Sequence, residues 1–173
     1  MTITVTSQRL LLRPWRRKDR PTLEKMCRDV DMMRFVTKGR PMTDKEIKQL
    51  FKRQKRHLRQ HRVCFFAMEL IETNQVVGLA GLQPLDNGDF EIGWWVWKDH
   101  WGYGYASEAG TALIDYARSE LKLARIFAII DPENNASIGV AEKLGLRLEC
   151  QKLASETIST RPNWVINYYG RTL

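Results

Sequence analysis

Cysteine is scarce in this chain: three in 173 residues, Cys27, Cys64 and Cys150, odd in number and far apart. No pair has the short spacing of a zinc knuckle or a redox dithiol, so neither a disulfide framework nor a cysteine metal site organises the fold. The three thiols are expected to be reduced and mostly buried, with Cys64 and Cys150 in the core. His57 and His61 sit four apart on a predicted helix, a chelating spacing, but their neighbours are basic and no third ligand is in view. With His100 they are read as making no metal motif, and the pair as part of a solvated face. Long apolar runs are also lacking. Nothing approaches the roughly 20 residues of a bilayer span, and Met1 to Arg13 has no positive start followed by an apolar stretch, so no secretory leader is expected and a cytoplasmic location is. Eleven Gly and six Pro are too few for a collagen-like or low-complexity chain, and 43% hydrophobic residues are too many for a disordered one. One domain over residues 1–173, large enough for a core of its own, is the expectation.

What is abundant is positive charge. The net charge is +8, and eight Lys and Arg between Asp44 and Arg62 face only Asp44 and Glu46, which places +6 of it in one segment. The balance favours an anionic partner without naming one. Thr43 and Glu46 form a capping box, and Ile47, Leu50, Phe51 and Leu58 then mark one apolar stripe at helical spacing. The basic run is therefore first the wet face of an amphipathic helix.

The remaining pattern is mixed. A first strand over Arg9–Pro14 and a short helix from Pro21 to about Val30 precede a loop over Asp31–Met42 with room for one helical turn. Strands at Val63–Ile71, Gln75–Gln83 and Phe90–Trp97 are separated by turn signals at Thr73-Asn74 and Asp86-Asn87-Gly88, which reads as consecutive antiparallel hairpins. The logic then changes. A glycine loop at Gly102–Ser107, a helix over Glu108–Leu121 and a β-branched strand at Arg125–Ile130 make a crossover that forces the strands at 90–97 and 125–130 to run parallel. A helix from Asn134 to Leu144, stopped by Gly145, and strands at Leu146–Lys152 and Trp164–Tyr169 close the chain.

The informative segment is Trp97-Lys-Asp-His-Trp-Gly-Tyr-Gly-Tyr-Ala-Ser-Glu108. Small residues at 102, 104 and 106 permit a tight strand-to-helix turn whose amides are left without partners. Such a helix start is a ready phosphate site. A P-loop is excluded because no Lys-Ser/Thr pair follows the glycines. A dinucleotide fingerprint is disfavoured because the loop follows antiparallel strands and Ser107 stands where its third glycine would be. A plain tight turn is the remaining alternative.

Arg9-Leu-Leu-Leu-Arg-Pro-Trp15, Glu91-Ile-Gly-Trp-Trp-Val96, Trp101-Gly-Tyr-Gly-Tyr-Ala-Ser-Glu-Ala109, and Asn134-Asn-Ala-Ser137 with Glu142-Lys-Leu-Gly145 occur in one order across nearly the whole chain. In that combination the sequence resembles the GNAT N-acetyltransferase superfamily, and most closely the branch of Rim-type enzymes that acetylate ribosomal-protein N-termini. The resemblance implies an α/β fold: a single mixed, mostly antiparallel sheet, splayed between its fourth strand (90–97) and fifth strand (125–130) and flanked by helices. It implies acetyl-CoA as cosubstrate, its pyrophosphate held on a loop of pattern Gln/Arg-x-x-Gly-x-Gly/Ala. That loop maps onto Trp101–Ala106, with backbone donors from Gly102, Tyr103, Gly104, Tyr105, Ala106 and Ser107; Trp101 departs from the pattern at the first position. The pantetheine arm is implied to run along Trp94, Trp95 and Val96, with Asn134 bonding it. The family's frequent acid, a Tyr seven residues after that Asn, is here Ala141, and Ser137 matches the acid proposed in the Rim-like branch.

The chemistry is consistent with these roles. The attacking amine must be neutral, and an α-amino group with a pKa near 8 needs less help than a lysine near 10.4. Glu91 is the candidate base, directly or through water, with a purely structural ion pair as the competing reading. An amide near Val96 would meet the developing oxyanion. One face of the cluster Trp94, Trp95, Trp97 and Trp101 is expected in the core and the other along the acceptor groove, with Tyr103 and Tyr105 packing the loop. No activated nucleophile is evident, so transfer is read as direct, and no metal is required. A peptide α-amine, on an acidic or ribosomal protein, ranks ahead of a small-molecule amine. A basic nucleic-acid-binding module and a non-catalytic acetyl-CoA sensor are the rivals from other classes, and the stoichiometry stays open between monomer and homodimer.

Overall fold

A computed structural model describes residues 3–173; Met1 and Thr2, the start of the segment read for a leader, lie outside the described residues. The elements are β1 (Val5–Thr6), β2 (Leu10–Arg13), α1 (Arg20–Arg28), α2 (Val30–Met33), α3 (Asp44–His61), β3 (Phe65–Leu70), β4 (Val76–Pro84), β5 (Phe90–Val96), α4 (Tyr105–Ser119), β6 (Arg125–Ile130), α5 (Asn135–Lys143), β7 (Arg147–Leu153) and β8 (Val165–Thr172). The eight strands form one sheet in the order β1-β2-β3-β4-β5-β6-β8-β7. Every neighbouring pair is antiparallel except β5 and β6. The expected fourth and fifth strands are thus β5 and β6, shifted by one because the two-residue β1 is too short to announce itself.

Helices cover both faces. Ala109, Leu113, Ile114 and Ala117 of α4, with Ala141 of α5 and Leu144 beyond it, pack on Leu12, Phe66, Met68, Val77, Leu82 and Ile126 in the main core. Leu23 and Cys27 of α1 join Ile47 and Leu50 of α3 over Phe65 and Leu79. The capping box holds: the Glu46 amide donates to Thr43 Oγ1 at 3.3 Å, and the Thr43 amide donates to Glu46 Oε2 at 2.8 Å. The polar ring of the β2 end is buried too. Arg13 donates to both Asp19 (2.6 Å) and Glu69 and is 2% exposed, so this triad rests on mutual satisfaction of its charges.

Two sequence expectations fail. His57 is not on the wet face: it is 7% exposed, on the sheet side of α3. The buried stripe of α3 continues past Ile47 and Leu50 through Gln54 and His57, at the same helical spacing. The Gln54 carboxamide accepts the Phe65 amide at 2.7 Å there, which an apolar side chain would leave unmet. Cys150 is not core either. It is exposed because β7 is the outer edge of the sheet and no helix covers that stretch, whereas Cys27 and Cys64 are buried. No helix among the described residues is long and apolar enough to cross a membrane, and no three His, Cys, Asp or Glu side chains among them group to hold a metal ion.

Candidate active site

The parallel pair β5 and β6 is the sheet's weak seam. Its register is a single bridge, Glu91 to Phe127, after which the strands separate. The Trp97 amide donates to Val77 O at 2.8 Å, so on β5 the odd positions bond to β4 and the even ones turn away. The amides of Trp94 and Val96 therefore face the gap, where the Val96 carbonyl is engaged by a side chain: Trp101 Nε1 donates to it at 2.6 Å. Alternation also separates the tryptophans. Trp94 packs toward α4 and the main core, while Trp95 and Trp97 pack on the α1 and α2 side.

The gap opens into a cleft of about 1580 Å³, walled by Trp94–Val96, the start of α4, the start of α5 and the inner face of α3. At one end lies the glycine loop. Gly102 and Gly104 have φ of 82° and 80°, the left-handed region that glycine enters without a Cβ penalty. This curl sets Gly104 as the N-cap of α4 and starts the helix three residues earlier than its apolar periodicity indicates. Among the described residues, no oxygen accepts from the amides of Gly102 to Ser107, while the Glu108 amide already bonds Gly104 O at 3.0 Å. These amides and the positive end of a 15-residue helix make a cradle suited to an anionic phosphate group. Tyr103 is the exception among the loop residues. It does not line the cleft; its ring stacks on Tyr105 at 5.7 Å and is 60% exposed.

Asn134 and Ser137 line the opposite wall. Asn134 caps α5 by accepting the Ser137 amide at 3.1 Å on Oδ1, which fixes the carboxamide and leaves its Nδ2 donors to other partners. The hydroxyl of Ser137 takes no part in that cap. Ala141 is fully buried. Asp131, just past β6, pairs with Lys38 from the α2–α3 segment, whose Thr37 and Arg40 line the cleft.

Glu91 is 7% exposed at the foot of the seam. Its Oε2 accepts from Gln83 Nε2 on β4 at 2.5 Å and from Arg161, whose other nitrogen donates to Thr157 Oγ1 at 2.9 Å. The ion-pair reading of Glu91 therefore describes its contacts, with Oε1 left over. Arg161 and Gln83 were missed by sequence reasoning. Arg161 lies 70 residues from Glu91 in a loop of no regular pattern, and nothing local signals it. No cysteine lines the cleft, and burial pushes the Cys27 and Cys64 thiols up to about 12, far from a thiolate.

A split mixed sheet with an amide cradle at the head of the crossover helix is the layout of an acetyl-transferring α/β domain. The chain belongs to the GNAT acetyltransferase family: residues 9–147 match the acetyltransferase (GNAT) domain, and it is accordingly an acyltransferase. It is 32% identical over 147 residues to the uncharacterized protein YkkB of Bacillus subtilis, covering 82% of this chain and 84% of that one. It is 42% identical over 86 residues to the uncharacterized N-acetyltransferase p20 of Bacillus licheniformis, a match spanning about half of each (49% and 48%). Its fold superposes on the acetyltransferase of Agrobacterium tumefaciens with a TM-score of 0.85 at 27% identity, covering 100% of this chain and 96% of that one. RimJ of Mycobacterium smegmatis, solved with a CoA-disulfide, has the same fold (TM-score 0.79, 22% identity, 99% and 88% covered).

Proposed function

We propose that this N-acetyltransferase moves an acetyl group from acetyl-CoA directly to the α-amine at a protein or peptide N-terminus. The observation that carries the reading is the cleft itself. One cleft is lined by the Gly102 and Gly104–Ser107 cradle, the Trp94–Val96 edge, the α3 face and Arg161, so the cradle and the acceptor side share one space. A closed pocket would suit a small amine better; an open-ended one admits the first residues of a chain. The RimJ neighbour, solved with a CoA-disulfide, supports the same cofactor class.

Acetyl-CoA, when bound, supplies an acetyl thioester and a diphosphate. The residues fit it: the Gly102–Ser107 amides meet the diphosphate, the Trp94 backbone meets the arm in strand fashion, and Asn134 Nδ2 adds a donor from the other wall. The amine nitrogen bonds to the acetyl carbonyl carbon as the C–S bond breaks, and Ser137 Oγ relays a proton to the departing thiolate and regains one from solvent. Glu91 Oε1 receives the amine proton directly or through water, while Arg161 and Gln83 hold Oε2 and fix the carboxylate's orientation. The Val96 amide faces the developing oxyanion. An acceptor screen with thiol release as readout tests this. Peptides with free N-termini are expected to outpace lysine side chains and small amines; turnover of small amines alone would refute it.

A further inference from the structure

Residues Glu46, Gln49, Leu50 and Arg53 fall at helical spacing on the face of α3 that lines the cleft. Their charges are not equally satisfied. Glu46 is paired with Arg40 at 2.7 Å, and across the mouth Arg161 is paired with Glu91. Among the described residues no carboxylate lies within ion-pair distance of Arg53. The backbone of this turn of α3 is pinned to β3, because the next residue, Gln54, accepts the Phe65 amide. The Arg53 side chain is exposed to solvent on the cleft face, within electrostatic range of both Arg161 and Glu91. It is a cation without a carboxylate partner among the described residues, as are Arg34 and Lys143 elsewhere in the lining.

We infer that Arg53 recognises a carboxylate carried by the acceptor next to its reacting amine, so that the enzyme selects N-termini with an acidic second residue. This rests on the N-terminal reading above and narrows its substrate class. The geometry supplies both signs in one mouth: Glu91 for the incoming ammonium before it loses its proton, and Arg53 for an acid one residue away. A basic residue at that place meets the uncompensated guanidinium and is repelled. The forked donor set of arginine suits a carboxylate in two-point contact.

The test uses three peptides differing only at the second position, Ser-Asp, Ser-Asn and Ser-Lys, with the wild-type protein and with Arg53→Gln, Arg53→Glu and Arg56→Gln. Arg56 is one turn along α3, exposed, and outside the cleft lining. The wild type is expected to favour Ser-Asp over Ser-Asn at least tenfold in kcat/KM. Arg53→Gln brings that ratio close to one, chiefly through KM, and Arg53→Glu turns the preference toward Ser-Lys. Arg56→Gln keeps the wild-type ratio, which separates a local contact from general surface charge. Thermal midpoints confirm that each variant is folded. Equal rates on Ser-Asp and Ser-Asn, or an undiminished ratio in Arg53→Gln, overturns the inference while leaving N-terminal acetylation standing. If no peptide turns over, the N-terminal reading fails, and the same contrast is run with β-alanine against β-alaninamide. A carboxylate preference lost in Arg53→Gln upholds the role of Arg53; no preference removes it.

Discussion

Arg9 reaches from the turn between β1 and β2 to Glu108 in the first turn of α4, with Nε donating to Oε2 at 2.7 Å. The Arg9 amide and the Ser7 hydroxyl both donate to Oε1 at 2.7 Å, and Arg9 Nη2 donates to the Tyr103 carbonyl at 3.0 Å. The N-terminal strand thus clamps the cradle loop from outside. Partial burial favours the protonated form of Glu108, but the Ser7 and Arg9 hydrogen bonds outweigh it and hold the pKa below the usual carboxylate range. Glu108→Gln removes the charge and keeps the shape. We expect a loss of about 1–2 kcal/mol of local order. It should appear as faster hydrogen exchange at 102–107 and a several-fold weaker acetyl-CoA affinity, with kcat at saturation nearly unchanged.

Gly104→Asp is expected to abolish acetyl-CoA binding in calorimetry. It sets a carboxylate where the cradle gathers positive potential, and it forces a Cβ into φ near 80°. Gly104→Ala separates the two effects, since it keeps only the backbone strain, on the order of 1–2 kcal/mol. Unchanged affinity in the Asp variant would remove the cradle from the cofactor site.

Ser137→Ala tests the proton donor cleanly, because the helix cap uses the Ser137 amide and not its hydroxyl. We expect kcat to fall by about 10²-fold or more while the acetyl-CoA KM moves little. A matched loss in cofactor affinity and in kcat would reduce Ser137 to a binding contact.

His57 predicts a pH dependence of stability. Burial first, then Arg53, Arg56 and His61, push its pKa down to about 4, against about 6.5 in an unfolded chain. The folded state holds it neutral, so the unfolded state binds more protons below pH 6.5. Its contribution is present in full above that pH and is lost as the pH falls toward 4, at up to about 1.4 kcal/mol per unit. Its Nδ1 also lacks a partner among the described residues. His57→Leu should flatten the decline between pH 6.5 and 4 in chemical denaturation, and an unaltered slope would place the titration elsewhere.

Much of this architecture was legible in local pattern. The Thr43–Glu46 cap, the β6 boundaries at Arg125 and Ile130, and the change from hairpins to a crossover each follow from residues adjacent in sequence. So did the gathering of Gly102, Gly104, Asn134 and Ser137, through motif order. What escaped needed tertiary knowledge. The burial of His57 depends on what packs against the later turns of α3, and the exposure of Cys150 on β7 being an edge. The Gln83–Glu91–Arg161 contacts join a strand, its neighbour and an irregular loop, and Arg53 differs from the seven other cations of its segment only by the cleft it faces.

The indole of Trp101, bonded to the Val96 carbonyl, has a consequence for solubility. A split sheet offers a bare border on which a foreign strand can grow, and such borders invite aggregation. Here one acceptor of that border, the Val96 carbonyl, is taken by a side chain of the same molecule, 56% exposed and tethered five residues away. A strand pairing along the full border would first have to dislodge that ring, while the Trp94 stretch stays open to an extended ligand.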